Sequence, residues 1–193
     1  FPLLIVESGI DPYIDSSLMS NLAEGIFRLL IFLIYLIIIG YIPNIRRVFG
    51  YHAAEHMAVH TYEARQPLEK DAVRNFPAAH PRCGTAFLLT VMLVSVLVFA
   101  VLGKPDLPLR IASRVILIPL IAGISYEVIR FNARHHTNRL VQLFAAPSLL
   151  MQRLTTRPPD DGQIEIAIHA MNMAIAGDNN DGPSEKTKAV LQE

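Results

Sequence analysis

Apolar and polar residues along this chain fall into long blocks rather than a fine alternation. The first block runs from Leu22 to Ile42, and Leu29 to Ile39 within it is uncharged and nearly all Leu, Ile and Phe. A helix of about twenty residues, rising about 1.5 Å at each, crosses a hydrocarbon core roughly 30 Å thick. Pro43 marks its end, since the residue before a proline is pushed out of the helical region. The second block, Gly84 to Gly103, is almost free of polar groups, and Lys104 to Pro108 makes a tight connection. The third, Leu107 to Arg130, contains Pro119 and Gly123, which kink a transmembrane helix or let it pack closely. The pattern predicts an all-α, polytopic helical membrane protein with three transmembrane helices and additional amphipathic surface helices.

Polar segments separate and follow these blocks. Residues 44–83 are polar, with helical character over 47–65 that Gln66-Pro67 breaks, and 67–83 read as loop. Residues 130–155 are basic and amphipathic, which suits a helix on an anionic membrane surface. Gln163 to Ala176 reads as a short amphipathic helix or a strand. The tail from Gly177 is rich in Asn, Asp, Gly and Ser, and disorder is expected there. Residues 1–20 read as a short, partly helical lead-in on the membrane face. The expected organisation is a membrane domain over 1–155 carrying a His- and Cys-bearing loop at 44–83, a short cytoplasmic element at 156–176, and a disordered tail at 177–193.

Composition agrees with a membrane setting. Of 193 residues, 52% are apolar and only 18% charged, against roughly 25% charged in soluble domains. Basic and acidic residues balance at 17 each, so no global charge points to nucleic acid. The lipid bilayer is the expected partner, with membrane-protein partners or a homo-oligomer also compatible. The chain opens at Phe1 without a basic n-region; no signal peptide is expected, and further residues are expected upstream. Segment 44–83 carries Arg46, Arg47, Arg65, Lys70, Arg74 and Arg82, whereas 103–110 carries only Lys104 and Arg110. The positive-inside rule then puts the His loop and the C-terminus in the cytoplasm, at a bacterial inner membrane. The single cysteine, Cys83, forms no internal disulfide and suits a reducing compartment.

The chemistry concentrates in His52-Ala53-Ala54-Glu55-His56. Helical positions four apart share a face, so His52 and His56 could hold one divalent metal with Glu55 beside it as a base. The same face continues through His60 and Glu63 as a polar stripe. A second cluster, His80-Pro81-Arg82-Cys83, spaces an imidazole and a thiol like half of a zinc site. The expected metal set is His52, His56, His80 and Cys83, with zinc the expected ion and Glu55 the candidate catalytic base. His60, Glu63, Glu127 and Arg130 are expected in supporting positions. With all four donors the site is closed and structural; with one of them absent, water takes the open place and Glu55 can deprotonate it. Glu24 and Arg28 read as an interfacial ion pair, Glu127 and Arg130 as a pair locking helix ends, and Arg114 as an intramembrane charge that must face protein or water. His135 and His136 read as headgroup contacts, and His169 has no assigned role.

Five ordered motifs resemble the YqhQ-like family of bacterial membrane proteins. They are Phe49-Gly50-Tyr51-His52-Ala53-Ala54-Glu55-His56, Tyr62-Glu63, His80-Pro81-Arg82-Cys83-Gly84-Thr85, Pro119 with Ala122-Gly123-Ile124-Ser125-Tyr126-Glu127, and Gln152-Arg153-Leu154-Thr155-Thr156. The family's function is unknown, and its members are sometimes described as predicted metal-dependent enzymes. The resemblance implies a membrane location and weight on the His and Cys motifs, and it supplies no substrate. Ala53 stands where the family pattern has Gly, and the Gly-rich opening segment of the family is not found in this chain.

The expected function is therefore a membrane protein with a cytoplasm-facing metal site, acting in metal-assisted hydrolysis of a peptide or lipid-linked substrate. One rival is a non-enzymatic accessory subunit or assembly factor, in which any metal staples segment 44–83. The other is a transporter component that lines a cavity with Glu24, Arg114 and Glu127.

Overall fold

A computed structural model describes residues 5, 6, 9, 16–103, 105–135 and 138–180. Most of the expected lead-in, Lys104, His136 and the tail beyond Asn180 lie outside the described residues. Among those described, the chain is helical with no strand. The helices are α1 Ser17–Gly40, α2 Pro43–Glu63, α3 Lys70–Val73, α4 Gly84–Leu102, α5 Leu107–Ile116, α6 Ile118–Arg134, α7 Arg139–Thr155 and α8 Asp161–Asn180. They form two compact units that alternate along the chain: Phe1–Tyr41 with Pro81–Thr155, and Ile42–His80 with Thr156–Glu193.

The first unit contains α1, α4, α5, α6 and α7. Two of its helices, α1 and α4, are long and apolar enough to cross a membrane. Ile26, Leu30, Ile34 and Ile38 on α1, and Leu88, Leu93, Leu97 and Val101 on α4, are exposed. In water such faces would be costly, and in lipid they are solvated. Between the two helices, Gly25 leaves room for the Val96 side chain, which a Cβ there would meet; small residues allow close approach of membrane helices in this way. Leu36 of α1, Leu89 of α4 and Met151 of α7 form the buried core, flanked by Phe32 and Leu33. The region expected as a surface helix over 130–155 is thus divided. Its first residues end α6, and α7 packs against α1 and α4.

Local sequence explains the helix ends. Ile42 is extended (φ −73°, ψ 124°), as Pro43 requires, and Pro43 then occupies the first turn of α2, where its missing N–H costs nothing. Gly103 ends α4 at φ 78°, a conformation that favours glycine. The third apolar block is not one straight helix. It breaks at Leu117 into α5 and α6, bent by 47°, and counts as a third crossing if the two halves are one span. Pro119 lies in the first turn of α6; lacking an N–H, it cannot continue the ladder from α5.

The second unit is built from α2, α3 and α8. Ala54 and Met57 of α2, Val73 of α3 and Ile164 of α8 form its buried core, with Ala167 and Ile168 against it. The segment expected as loop over 67–83 contains α3, whose Val73 is fully buried; its four residues are too short for periodicity to reveal. The helix-or-strand ambiguity over 163–176 resolves as helix. Asp160 Oδ1 accepts from Gln163 N at 2.8 Å, and Gln163 Oε1 accepts from Asp160 N at 3.0 Å. This reciprocal cap nucleates α8, which runs through Gly177–Asn180 where disorder was expected. The Gln163 amide also donates to Arg47 O at 3.1 Å. It crosses α2 at Gly50, where an added Cβ would lie 2.5 Å from Gln163 Oε1. Lys70 pairs with Glu165, and Arg74 with Asp161, tying α3 to α8 at the surface.

Candidate metal centre

All the imidazoles on α2 come from one stripe. His52, His56 and His60 succeed one another at four-residue intervals, so they climb a single face. The opposite face carries Ala54 and Met57, which the core of the second unit buries; burial of that face fixes the helix rotation and the direction of the stripe. The His52 and His56 rings lie 4.3 Å apart between centroids, edge to face.

Residues 78–80 return to this stripe after α3. Ala78 O lies 2.6 Å from His56 Nδ1, and Ala79 O lies 2.9 Å from His60 Nε2. A carbonyl only accepts, so each of these ring nitrogens is the protonated donor. In a neutral imidazole so held, the other nitrogen, Nε2 of His56 or Nδ1 of His60, carries the lone pair. An imidazole oriented by a backbone carbonyl in this way is the usual state of a metal-ligating histidine. Phe76 stacks nearly parallel to the His60 ring, 6.3 Å away between centroids.

His80 completes the cluster. It is buried, with its ring 4.5 Å from that of His60 and 5.8 Å from that of His56. Its Nε2 lies 3.3 Å from Glu63 Oε2. His60, Glu63 and His80 each offer one ligand atom, all within 4.8 Å of one another. Burial pushes the His80 imidazole below its ordinary value; the Glu63 carboxylate opposes this, and His60 and His56 add to it. The ring is thereby kept in the neutral form that binds metal.

The expected residues are thus distributed unevenly. His80 joins His60 and Glu63, two residues for which the sequence suggested only supporting roles. His52 and His56 stack one turn apart, and His56 also lies beside His80. Glu55 is exposed on α2. Cys83 belongs to the first unit, where it is buried at the start of α4 and its sulfur accepts from Thr85 N at 3.4 Å. Glu127 and Arg130 pair with each other at 3.7 Å on the exposed surface of α6. His135 is exposed and stacks on Phe131 at 4.2 Å, and His169 is exposed. The signal that points to His60 and Glu63 is in the sequence: they continue the His52–His56 face by one further turn.

A family model described as a protein of unknown function, DUF1385, matches residues 1–177. The chain belongs to this family. It is 37% identical over 149 residues to the uncharacterized protein YqhQ of Bacillus subtilis (strain 168), covering 77% of this chain and 47% of that protein. The chain thus spans about half the length of the curated relative it matches. No solved structure matches it. The YqhQ resemblance carried by the His, Cys and Pro–Tyr–Glu motifs is confirmed, and membership brings no known activity with it.

Proposed function

We propose that this family member is an integral membrane protein with three crossings that carries a divalent-metal centre in its second unit. His60, Glu63 and His80 are the proposed ligands. The single observation that carries this reading is the convergence of their donor atoms within 4.8 Å. Two imidazoles and one carboxylate suit zinc, and this donor set typifies catalytic rather than structural zinc sites, because three protein ligands leave one position for water. His56, oriented by Ala78 O, stands beside the three as a further imidazole. The finer reading is a hydrolase working at the membrane surface, on the cytoplasmic side to which the basic residues of 44–83 assign this unit. Glu55 is then the base, open to solvent and one residue before His56.

The exposed position of Glu55, outside the donor group, favours a second reading: an accessory subunit of a larger membrane complex whose metal stabilises the second unit without turnover. Elemental analysis of the purified protein and of His60→Ala, His80→Ala and Glu55→Gln tests the centre. Loss of metal in the first two and retention in the third support it. Unchanged metal content in His60→Ala and His80→Ala removes it.

A further inference from the structure

The imidazoles of the second unit form a continuous row that is longer than one ion can use. Between centroids, the rings of His52 and His56 are 4.3 Å apart, those of His56 and His80 5.8 Å, and those of His80 and His60 4.5 Å. Two nitrogens on one zinc, each bonded at about 2.0–2.1 Å, lie no more than about 4 Å from each other. His52 and His60 are both on α2, two turns and about 12 Å of helical rise apart. The proposed centre takes His60, Glu63 and His80 at one end of the row. His52 and His56 remain at the other.

That other end is built as a donor pair. His52 and His56 each offer a ring nitrogen, and these lie within 4.8 Å of each other. One helical turn separates the two residues, so they share a face. His56 is 5% exposed, and its Nδ1 donates to Ala78 O at 2.6 Å. In the neutral ring Nε2 is then the coordinating atom, and a backbone carbonyl on the far nitrogen is the usual support of a metal-ligating histidine. His52 is half-buried and forms the more open side of the pair. The return of the chain after α3 serves both ends of the row: Ala78 orients His56, and Ala79 orients His60.

We propose that His52 and His56 hold a second divalent ion beside the first, so that the second unit carries a two-metal centre. This rests on the reading of His60, Glu63 and His80 as the first site. His56 stands between the two positions, with the His52 ring on one side and the His80 ring on the other. Having two protein donors from this unit against three, the second position is the weaker. A cation there adds Lewis acidity next to the water of the first ion, the arrangement by which paired metals clamp the oxygens of one substrate.

The experiment is isothermal titration calorimetry of the full chain in detergent, stripped of metal by chelator and titrated with zinc. Wild type is expected to take two ions per chain in two steps, the second weaker by about tenfold or more. His52→Leu should remove the weaker step and leave the tighter affinity within about twofold. His60→Ala should weaken the tighter step. Circular dichroism checks that each variant keeps its helices. Cobalt(II) in place of zinc reads proximity: at two equivalents per chain the electron paramagnetic resonance signal should fall below twice that of one equivalent, because neighbouring spins couple. A single ion in wild type that His60→Ala weakens overturns the second position and leaves the first standing; no ion at all overturns both. Two steps that persist in folded His52→Leu overturn the proposal, as do the loss of both steps in that variant and two cobalt signals that simply add.

Discussion

Replacing His80 by alanine separates what this residue does for packing from what it does for metal. In the metal-free protein the substitution removes a buried ring that contacts His60 and His56 and interacts with Glu63. Losing those contacts and one hydrogen bond to a charged acceptor costs about 1–3 kcal/mol. With metal the effect is different in kind. A ligand present at a hundred times its dissociation constant stabilises the folded state by about 2.7 kcal/mol. Removing one of three donors is expected to weaken binding at least a hundredfold, more than the 10–100-fold typical of a supporting partner. At the same zinc concentration the stabilisation then falls to about 0.4 kcal/mol. At about 4–8 °C per kcal/mol for a small folding unit, the zinc-dependent rise in Tm shrinks from roughly 10–20 °C to about 2–3 °C. Differential scanning fluorimetry with chelator or with zinc measures both quantities on one sample. A His80→Ala protein that keeps the full zinc-dependent rise would refute the reasoning, and so would a wild-type protein that shows none.

Three further outcomes follow from other features. In chelator, wild-type stability should hold above pH 6.5, the ordinary histidine value, and decline as pH falls below it. The folded His80 imidazole titrates lower than the unfolded one, so protons favour the unfolded chain in that window; the decline should be smaller in His80→Ala, as read from denaturant melts between pH 7.5 and 5. Gly50→Val should loosen α8 from α2, because its side chain would occupy the position of the Gln163 amide, and limited proteolysis should then cut within 161–180 at rates that leave wild type intact. Asp160→Ala should cost about 1 kcal/mol through loss of the α8 cap, a shift in denaturant midpoint that Asp160→Asn largely restores.

The two candidate spans were legible because the ability to cross a membrane depends on length and apolar composition, and α1 and α4 satisfy both without tertiary context. Pro119 announced the break in the third apolar block through its missing N–H, although not the angle. The His stripe was legible from the four-residue spacing alone. The grouping of His80 with His60 and Glu63 was not, because it depends on where Ala78 and Ala79 place their carbonyls after α3, and a four-residue helix leaves no periodic trace. The α8 ambiguity was avoidable: Asp160-x-x-Gln163 is a cap signature in the sequence itself. Arg110 read as a loop charge in the orientation count. Its spacing of four from Arg114 is the signal that both reach the buried Glu24 of α1, which also pairs with Arg28.

The second unit is assembled from two stretches separated by the whole of α4 to α7. Translation therefore delivers His60, Glu63 and His80 well before Asp161 leaves the ribosome. At 5–20 residues per second, the roughly 80 intervening residues take about 4–16 s. During that interval Ala54 and Met57 have no α8 to cover them, while the next hydrophobic segments are being handed to the insertion machinery. The newborn chain must keep an unfinished half-domain soluble until its distant partner emerges, and an ion seized early by the histidines would give that half a fixed point around which to wait.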